Sequence, residues 1–257
     1  MGIPIHQLLD PLLALWLPFV RIAAFFHFCP IFEHRAFPRK AKVGLALLLS
    51  ILIVPMLDNN VVLHELMTMQ TLLLSGEQIL WGLLFGQMLN WVFSALQTAG
   101  AILSMNMGLG MAVMNDPGSG NSTMVISQIV FVFSVLLFFS MDGHLLLITI
   151  LHKGFTYWPI GQAINALTLR TAATGVGWLL TGALLLALPT VFIMLLVQGA
   201  FGLLNRISPT LNLFALGFPI SMLFGLFCLM LLSGSIPDHY LSLTNQILAQ
   251  FDQLRSY

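Results

Sequence analysis

The feature that most limits this chain is the extent of its apolar runs. Six of them, at 11–32, 43–57, 72–96, 124–151, 176–204 and 211–236, take up most of the 257 residues. A soluble core cannot bury that much apolar side chain; a bilayer or a set of neighbouring subunits can. Only 7% of the residues are charged, against about 25% in ordinary soluble domains. Mean hydropathy is +0.97. Backbone that crosses lipid must satisfy its own hydrogen bonds, and a helix does so within one segment. The sequence therefore predicts a polytopic, all-α membrane protein.

The runs do not predict six simple spans. A spanning helix needs about 20 apolar residues. Run 43–57 contains Pro55 and would reach only about 22 Å at 1.5 Å per residue. Pro18, Pro30, Pro189 and Pro219 fall inside other runs. Proline in a membrane helix is tolerated where neighbouring groups satisfy the backbone carbonyl it leaves free. Kinked helical hairpins packed against protein are expected. Gly82 and Gly86 form a small-xxx-small pair that lets two helix backbones approach closely. Packing within the chain and packing between subunits are both open readings.

Basic residues cluster once. Arg35, Arg39, Lys40 and Lys42, beside Glu33, are read as a loop between the first two runs, facing the cytoplasm. The 58–71 connection holds Asp58 and Glu65 with no Lys or Arg, which suits the opposite face. After Pro237, Asp238 is expected to cap a separate C-terminal helix. Tyr240, Ile247, Phe251 and Leu254 share one face of it. That face suits a membrane surface, a partner groove or the chain's own bundle. At the other end, no Lys or Arg precedes Arg21 and acidic Asp10 interrupts the apolar N-terminal stretch, so the first run reads as mature structure rather than a secretory signal. His6 stands where a myristoylation signal needs Ser or Thr.

Several functions are disfavoured. Formal net charge is zero, which does not suit a nucleic-acid partner. Cys29 and Cys228 sit in apolar runs and read as buried thiols. No CxxC or paired Cys/His spacing supports a metal, and no cofactor motif is present. Motifs of membrane enzymes are incomplete. Ser119 follows Pro117-Gly118, where a rhomboid-type protease needs Gly-x-Ser-Gly. Gly108-Leu109-Gly110 precedes Met111, where a presenilin-type protease needs Asp. His64-Glu65 lacks the second histidine of a zinc protease. Asp142-Gly143-His144 offers an acid and a base without a nucleophile. It reads as a polar break at a helix end, so no catalytic residue is assigned.

Two groups of residues stand out. The first is 104–123, where Met105, Met107, Met111 and Met114 lie among Gly108, Gly110, Gly118 and Gly120, with a turn signal at Asn115-Asp116-Pro117-Gly118. Methionine adapts to irregular or changing surfaces, and glycine adds backbone freedom. The composition fits either a pore plug or a flexible connection. The second group is the polar residues within or beside the runs: Arg21, Glu77 with Gln78, and Arg206. Burial makes such groups costly. Pairing inside the bundle and pairing with a partner helix are both open.

The chain resembles the FliR family of the flagellar type III protein export gate. The resemblance rests on Arg21 through Pro30-Ile31-Phe32, on Pro38-Arg39-Lys40-Ala41-Lys42-Val43-Gly44, and on Glu77 with Gly82 and Gly86. It continues through Thr98-Ala99-Gly100, Met107-Gly108-Leu109, Asp116-Pro117, Asp142-Gly143-His144, Gly202-Leu203-Leu204-Asn205-Arg206 and Gly217-Phe218-Pro219. It covers nearly the whole chain, so 1–257 is expected to be one export gate domain. The resemblance implies a FliP-like portion joined to a FliQ-like portion in a helical, pore-forming assembly. It implies FliP-like, FliQ-like, FlhB-like and FlhA-like partners, unfolded proteins in transit, and a place in the bacterial inner membrane at the flagellar basal body. It implies that 105–122 closes the pore, and that much of the apolar surface meets other subunits. Alternatives are the equivalent subunit of a virulence secretion system and a small-solute transporter. The latter would need an inverted repeat, and none is evident.

Overall fold

A computed structural model describes residues 5–33, 37–57, 68–110, 113–115, 122–161, 166–207 and 213–255. Helix α1 (Ile5–Phe28) is followed, after Cys29, by the single turn α2 (Pro30–Glu33). Helix α3 (Arg39–Ile53) tightens into a 3-10 turn at Val54–Met56. Then come α4 (Met69–Asn106), strands β1 (Val113–Asn115) and β2 (Ser122–Met124), α5 (Val125–Ser140), α6 (Gly143–Tyr157), α7 (Ala166–Ile207) and α8 (Leu213–Arg255).

The helical class holds, and the lengths explain why six runs are not six spans. Helices α4, α7 and α8 have 38, 42 and 43 residues. At 1.5 Å per residue they reach about 57, 63 and 65 Å, against a hydrocarbon layer of about 30 Å. These three are long and apolar enough to cross a membrane, and α5 with α6 makes a fourth if that broken pair is one span. Helix α3 has only 15 residues and gives way at Pro55. The run 124–151 is broken at Met141–Asp142, where Asp142 takes a left-handed φ of +55°. The polar break expected there is present. Capping by its side chain is not; Asp142 and His144 point to the surface.

Two further expectations are corrected. Asp238 does not cap a separate helix, because α8 runs unbroken through Pro219 and Pro237. Proline removes one N–H and crowds the preceding turn. Here Ile236 and Tyr240 are buried on either side of Pro237, and that packing holds the helix on course. The face formed by Tyr240, Ile247 and Phe251 is buried within the chain; the Leu254 side chain lies outside the described residues. Likewise Arg39, Lys40 and Lys42 do not form a loop. They occupy the first turn of α3, while Arg35 lies outside the described residues.

The chain divides into two compact units. The first comprises 1–90, 142–174 and 248–257. In it α1 packs on α3, and Trp81, Phe85, Trp158 and Phe251 form an aromatic cluster with ring centroids 5.1 to 6.3 Å apart. The second comprises 91–141 and 175–247. There Phe93 meets Phe131, Phe138 and Tyr240, and Ser127 Oγ donates to the Gln97 carbonyl at 2.9 Å. Of the apolar stretch of α4, 61% is buried, against 28% in α7 and 22% in α8. The later helices thus present apolar side chains outward. Cys29 and Cys228 are both buried, and neither is in a disulfide.

Candidate functional site

In the second unit, the methionine-rich segment grows directly out of α4. The N–H of Met107 still bonds to the Leu103 carbonyl at 3.0 Å. Gly108 then turns the chain with φ +78°, a conformation a residue with a Cβ rarely adopts. The turn is closed by Gly108 N–H to the Met105 carbonyl at 3.1 Å and Leu109 N–H to the Ser104 carbonyl at 3.0 Å. Beyond it the chain forms an antiparallel ribbon. Val113 pairs with Met124, Met114 with Thr123 and Asn115 with Ser122. These are the only strands among the described residues.

The root of this hairpin is held by α7 and α8. Met107 is fully buried, and its side chain occupies the space that a Cβ on Gly225 of α8 would need. The Phe218 ring covers Gly108, with ring carbons 3.2 and 3.3 Å from where a Cβ would stand. Gln198 of α7 donates from Nε2 to the Asn106 carbonyl at 2.9 Å. Met105, by contrast, is 61% exposed, and Gly110 is half-buried beside it. Met111, Asp116, Pro117 and Gly118 lie outside the described residues; Met114 is placed by its backbone pairing alone.

The first unit contains a buried cation. Arg21, on α1, is fully inaccessible to solvent. Its Nε donates to Gln78 Oε1 on α4 at 2.7 Å. Its Nη1 donates to the carbonyls of Gly154 and Trp158 at 3.1 and 2.9 Å. Those carbonyls lie at the C-terminal end of α6, where the dipole is negative; the Gly154 carbonyl also accepts the Trp158 N–H at 3.2 Å. The Arg21 Cζ also lies 4.4 Å from the centroid of the Phe155 ring. Glu77 is within electrostatic reach of Arg21, and its Oε1 is buried without a hydrogen-bond partner. One side chain therefore ties α1, α4 and α6 together.

The paired glycines serve the same contact. A Cβ on Gly82 would strike the Arg21 carbonyl, Ala24 and Phe25 of α1. One on Gly86 would lie 2.8 Å from the Phe25 carbonyl. Both glycines thus seat α4 on α1 within this chain. Arg206 is exposed in the last turn of α7, where a cation complements the helix dipole. The structure does not bring it to Arg21.

Sequence reading missed the hairpin's anchors. Gln198 did carry a signal, as the lone amide in the apolar stretch Val191–Leu204. Gly225 and Phe218 carried none, because their role depends on a contact more than 100 residues away in sequence. Among the described residues no group of His, Cys, Asp and Glu is placed to hold a metal.

Comparison with known proteins adds a lineage to this geometry. A family model described as bacterial export proteins, family 1, matches residues 12–247. The flagellar biosynthetic protein FliR of Pectobacterium carotovorum subsp. carotovorum is 34% identical over 237 residues, covering 90% of each chain. The protein of the same name from Escherichia coli (strain K12) is 34% identical over 210 residues, 81% of this chain and 80% of that one. The Yop proteins translocation protein T of Yersinia pestis is 27% identical over 198 residues, 74% of this chain and 76% of that one.

Proposed function

Because the chain belongs to the bacterial export proteins of family 1, as a FliR-type component of type III export, we propose that it is a non-enzymatic structural subunit of the flagellar export gate. In this reading it forms a pore with FliP-like and FliQ-like subunits, and residues 105–122 close that pore. A FliP-like portion joins a FliQ-like portion within the single domain 1–257. FlhB-like and FlhA-like proteins associate with the gate, and unfolded proteins pass through it. The setting is the bacterial inner membrane at the flagellar basal body. The flagellar relatives range from 27% to 34% identical and the Yersinia protein is 27% identical; the two relatives at 34% are both flagellar, which supports the flagellar system.

The observation that carries the plug reading is the rooting of the hairpin. A plug must be held shut yet release without unfolding its subunit. Met107 seated against Gly225 is an apolar contact with no buried charge to desolvate. Methionine has three rotatable side-chain bonds and repacks readily. Among the described residues the surrounding polar ties are the Gln198 amide, the Ser104 hydroxyl on the Leu109 carbonyl and the turn's own backbone bonds. Gly108 lets the chain leave the helix axis abruptly. Exposed apolar side chains along α7 and α8 supply surface for neighbouring subunits.

Deletion of 106–120 tests the assignment. The expected result is that the shortened protein still assembles with its co-purifying partners while the membrane becomes leaky to ions and small solutes. Normal assembly with unchanged leakage sinks the plug reading.

A further inference from the structure

A cavity on the first unit has no role in the reading above. It measures about 590 Å³ and lies between α1 and the start of α3. That is within the roughly 300–1,000 Å³ typical of small-ligand sites. Its wall has two chemistries. Arg39, Lys42 and His27 bring N–H donors, two of them on cationic side chains, and Ala23, Phe37 and Val43 bring apolar surface. Among the described residues no acidic side chain lines it.

The apolar side of the cavity continues along α3. Val43, Leu47 and Ile51 recur every four residues, which places them on one helix face. They are 51%, 47% and 51% exposed. Ala46, Ser50 and Ile53, about a quarter turn round the helix from this stripe, are buried. From Val43 to Ile51 the stripe runs about 12 Å, close to the ~15 Å depth of one leaflet in a ~30 Å hydrocarbon layer. A ligand that satisfies both halves has an anion at one end and a hydrocarbon tail at the other.

We propose that this cavity binds an anionic phospholipid, with the phosphate between Arg39 and Lys42 and an acyl chain along Val43, Leu47 and Ile51. A free phosphate would use the cationic mouth and leave the stripe bare. A basic pocket beside a membrane helix at headgroup level is the setting in which lipid phosphates are recognised. The first turn of α3 also holds cations and no acid, the reverse of what the helix dipole favours. A bound phosphate offsets that imbalance.

The test uses the full chain, purified with its co-purifying subunits and placed in phosphatidylcholine nanodiscs containing a minor fraction of phosphatidylglycerol. Native mass spectrometry then counts each lipid retained. The wild type is expected to retain phosphatidylglycerol preferentially. Removing each cation should cut the preference about fivefold, the equivalent of ~1 kcal/mol per basic residue at a membrane surface. So R39Q/K42Q should lose most of it, R39K/K42R should keep it, and R170Q, at an exposed cation outside the cavity lining, should leave it unchanged. L47S/I51S should weaken lipid retention through the tail. Equal retention of both lipids by the wild type, or an undiminished preference in R39Q/K42Q, overturns the site. So does an equal fall in R170Q, which would mean a response to net charge. Displacement of phosphatidylglycerol by inorganic phosphate alone overturns the lipid and assigns a free anion. A preference shown by the isolated chain and lost in the assembled complex overturns it in favour of a protein covering.

Discussion

The surroundings of Arg21 and the root of the methionine-rich hairpin solve opposite problems. Arg21 is held by three directional, charge-assisted bonds to Gln78, Gly154 and Trp158. Met107 is held by shape, in a space open because residue 225 is glycine. A buried charge with fixed acceptors restricts the arrangements open to it, since moving it would strand further polar groups beside Arg21 Nη2, Gln78 Nε2 and Glu77 Oε1, which are already unpaired. An apolar contact with a flexible side chain permits several at similar energy. The difference teaches where rigidity and movement are placed. The first unit is tied around a polar centre, and the hairpin root is held mainly by apolar contact.

The sharpest way to break this contrast is Arg21→Leu. It takes the donor from Gln78 Oε1 and the Trp158 carbonyl and leaves the Gly154 carbonyl with the Trp158 N–H alone, at a cost of about 3–5 kcal/mol. That is a large share of the ~5–15 kcal/mol that holds an ordinary domain together. The mutant protein should fail to accumulate in membranes, as read by immunoblot against the wild type. Arg21→Lys should recover part of the level, because it keeps the charge and one or two of the bonds. A normally abundant, normally stable Leu variant would remove the lock from this description.

Next in size is Gly82→Ala. The new methyl meets α1 backbone, so the helices must separate, at about 1–3 kcal/mol. Gly76→Ala is the matched control, because no atom lies within 4 Å of its Cβ position. It should raise stability by up to about 1 kcal/mol through helix propensity. Thermal unfolding of the purified complex should move in opposite directions for the two.

Gly225→Ala probes the other region. Its methyl displaces Met107 and should weaken the closed hairpin by about 1–2 kcal/mol. At 1.4 kcal/mol per decade, that is about a five- to thirty-fold rise in the open fraction. Ion leakage should increase in cells while the assembled complex is recovered in normal amounts. Lost assembly would mean that the Met107 contact is structural, and the two regions would no longer differ in kind.

The smallest effect is expected at Lys153→Ala. Its Nζ bonds to Asp252 at 2.8 and 3.0 Å, but the Asp252 side chain is 51% exposed. A pair so open to water contributes well under about 1 kcal/mol, so the melting curve should barely move. A large shift would place part of the lock at the surface.

The helical class and the breaks at Pro30, Pro55 and Asp142 were legible because proline, chain length and apolar periodicity act locally. Pro237 misled for the same reason. Its local preference for a helix start was overridden by burial of Ile236 and Tyr240, which sequence spacing cannot weigh. Arg21 announced itself as a charge in an apolar run, and Gln78 stood beside Glu77, but the α6 carbonyls that complete the cluster carry no side-chain signature. Met107 was visible as one methionine among four. Its distinction from exposed Met105 comes from register on α4, and from a glycine that gains meaning only when α8 arrives beside it.

The outward side of α7 sets a final geometric condition. Exposed apolar side chains run along it from Val176 to Ile207, a rise of about 47 Å. Tilting by 40°, near the limit seen for membrane helices, still leaves about 36 Å along the bilayer normal. The hydrocarbon layer is about 30 Å thick. Local thickening of the bilayer by several ångströms would have to accompany the steepest tilt. At any gentler inclination, part of this oily flank stands above the lipid.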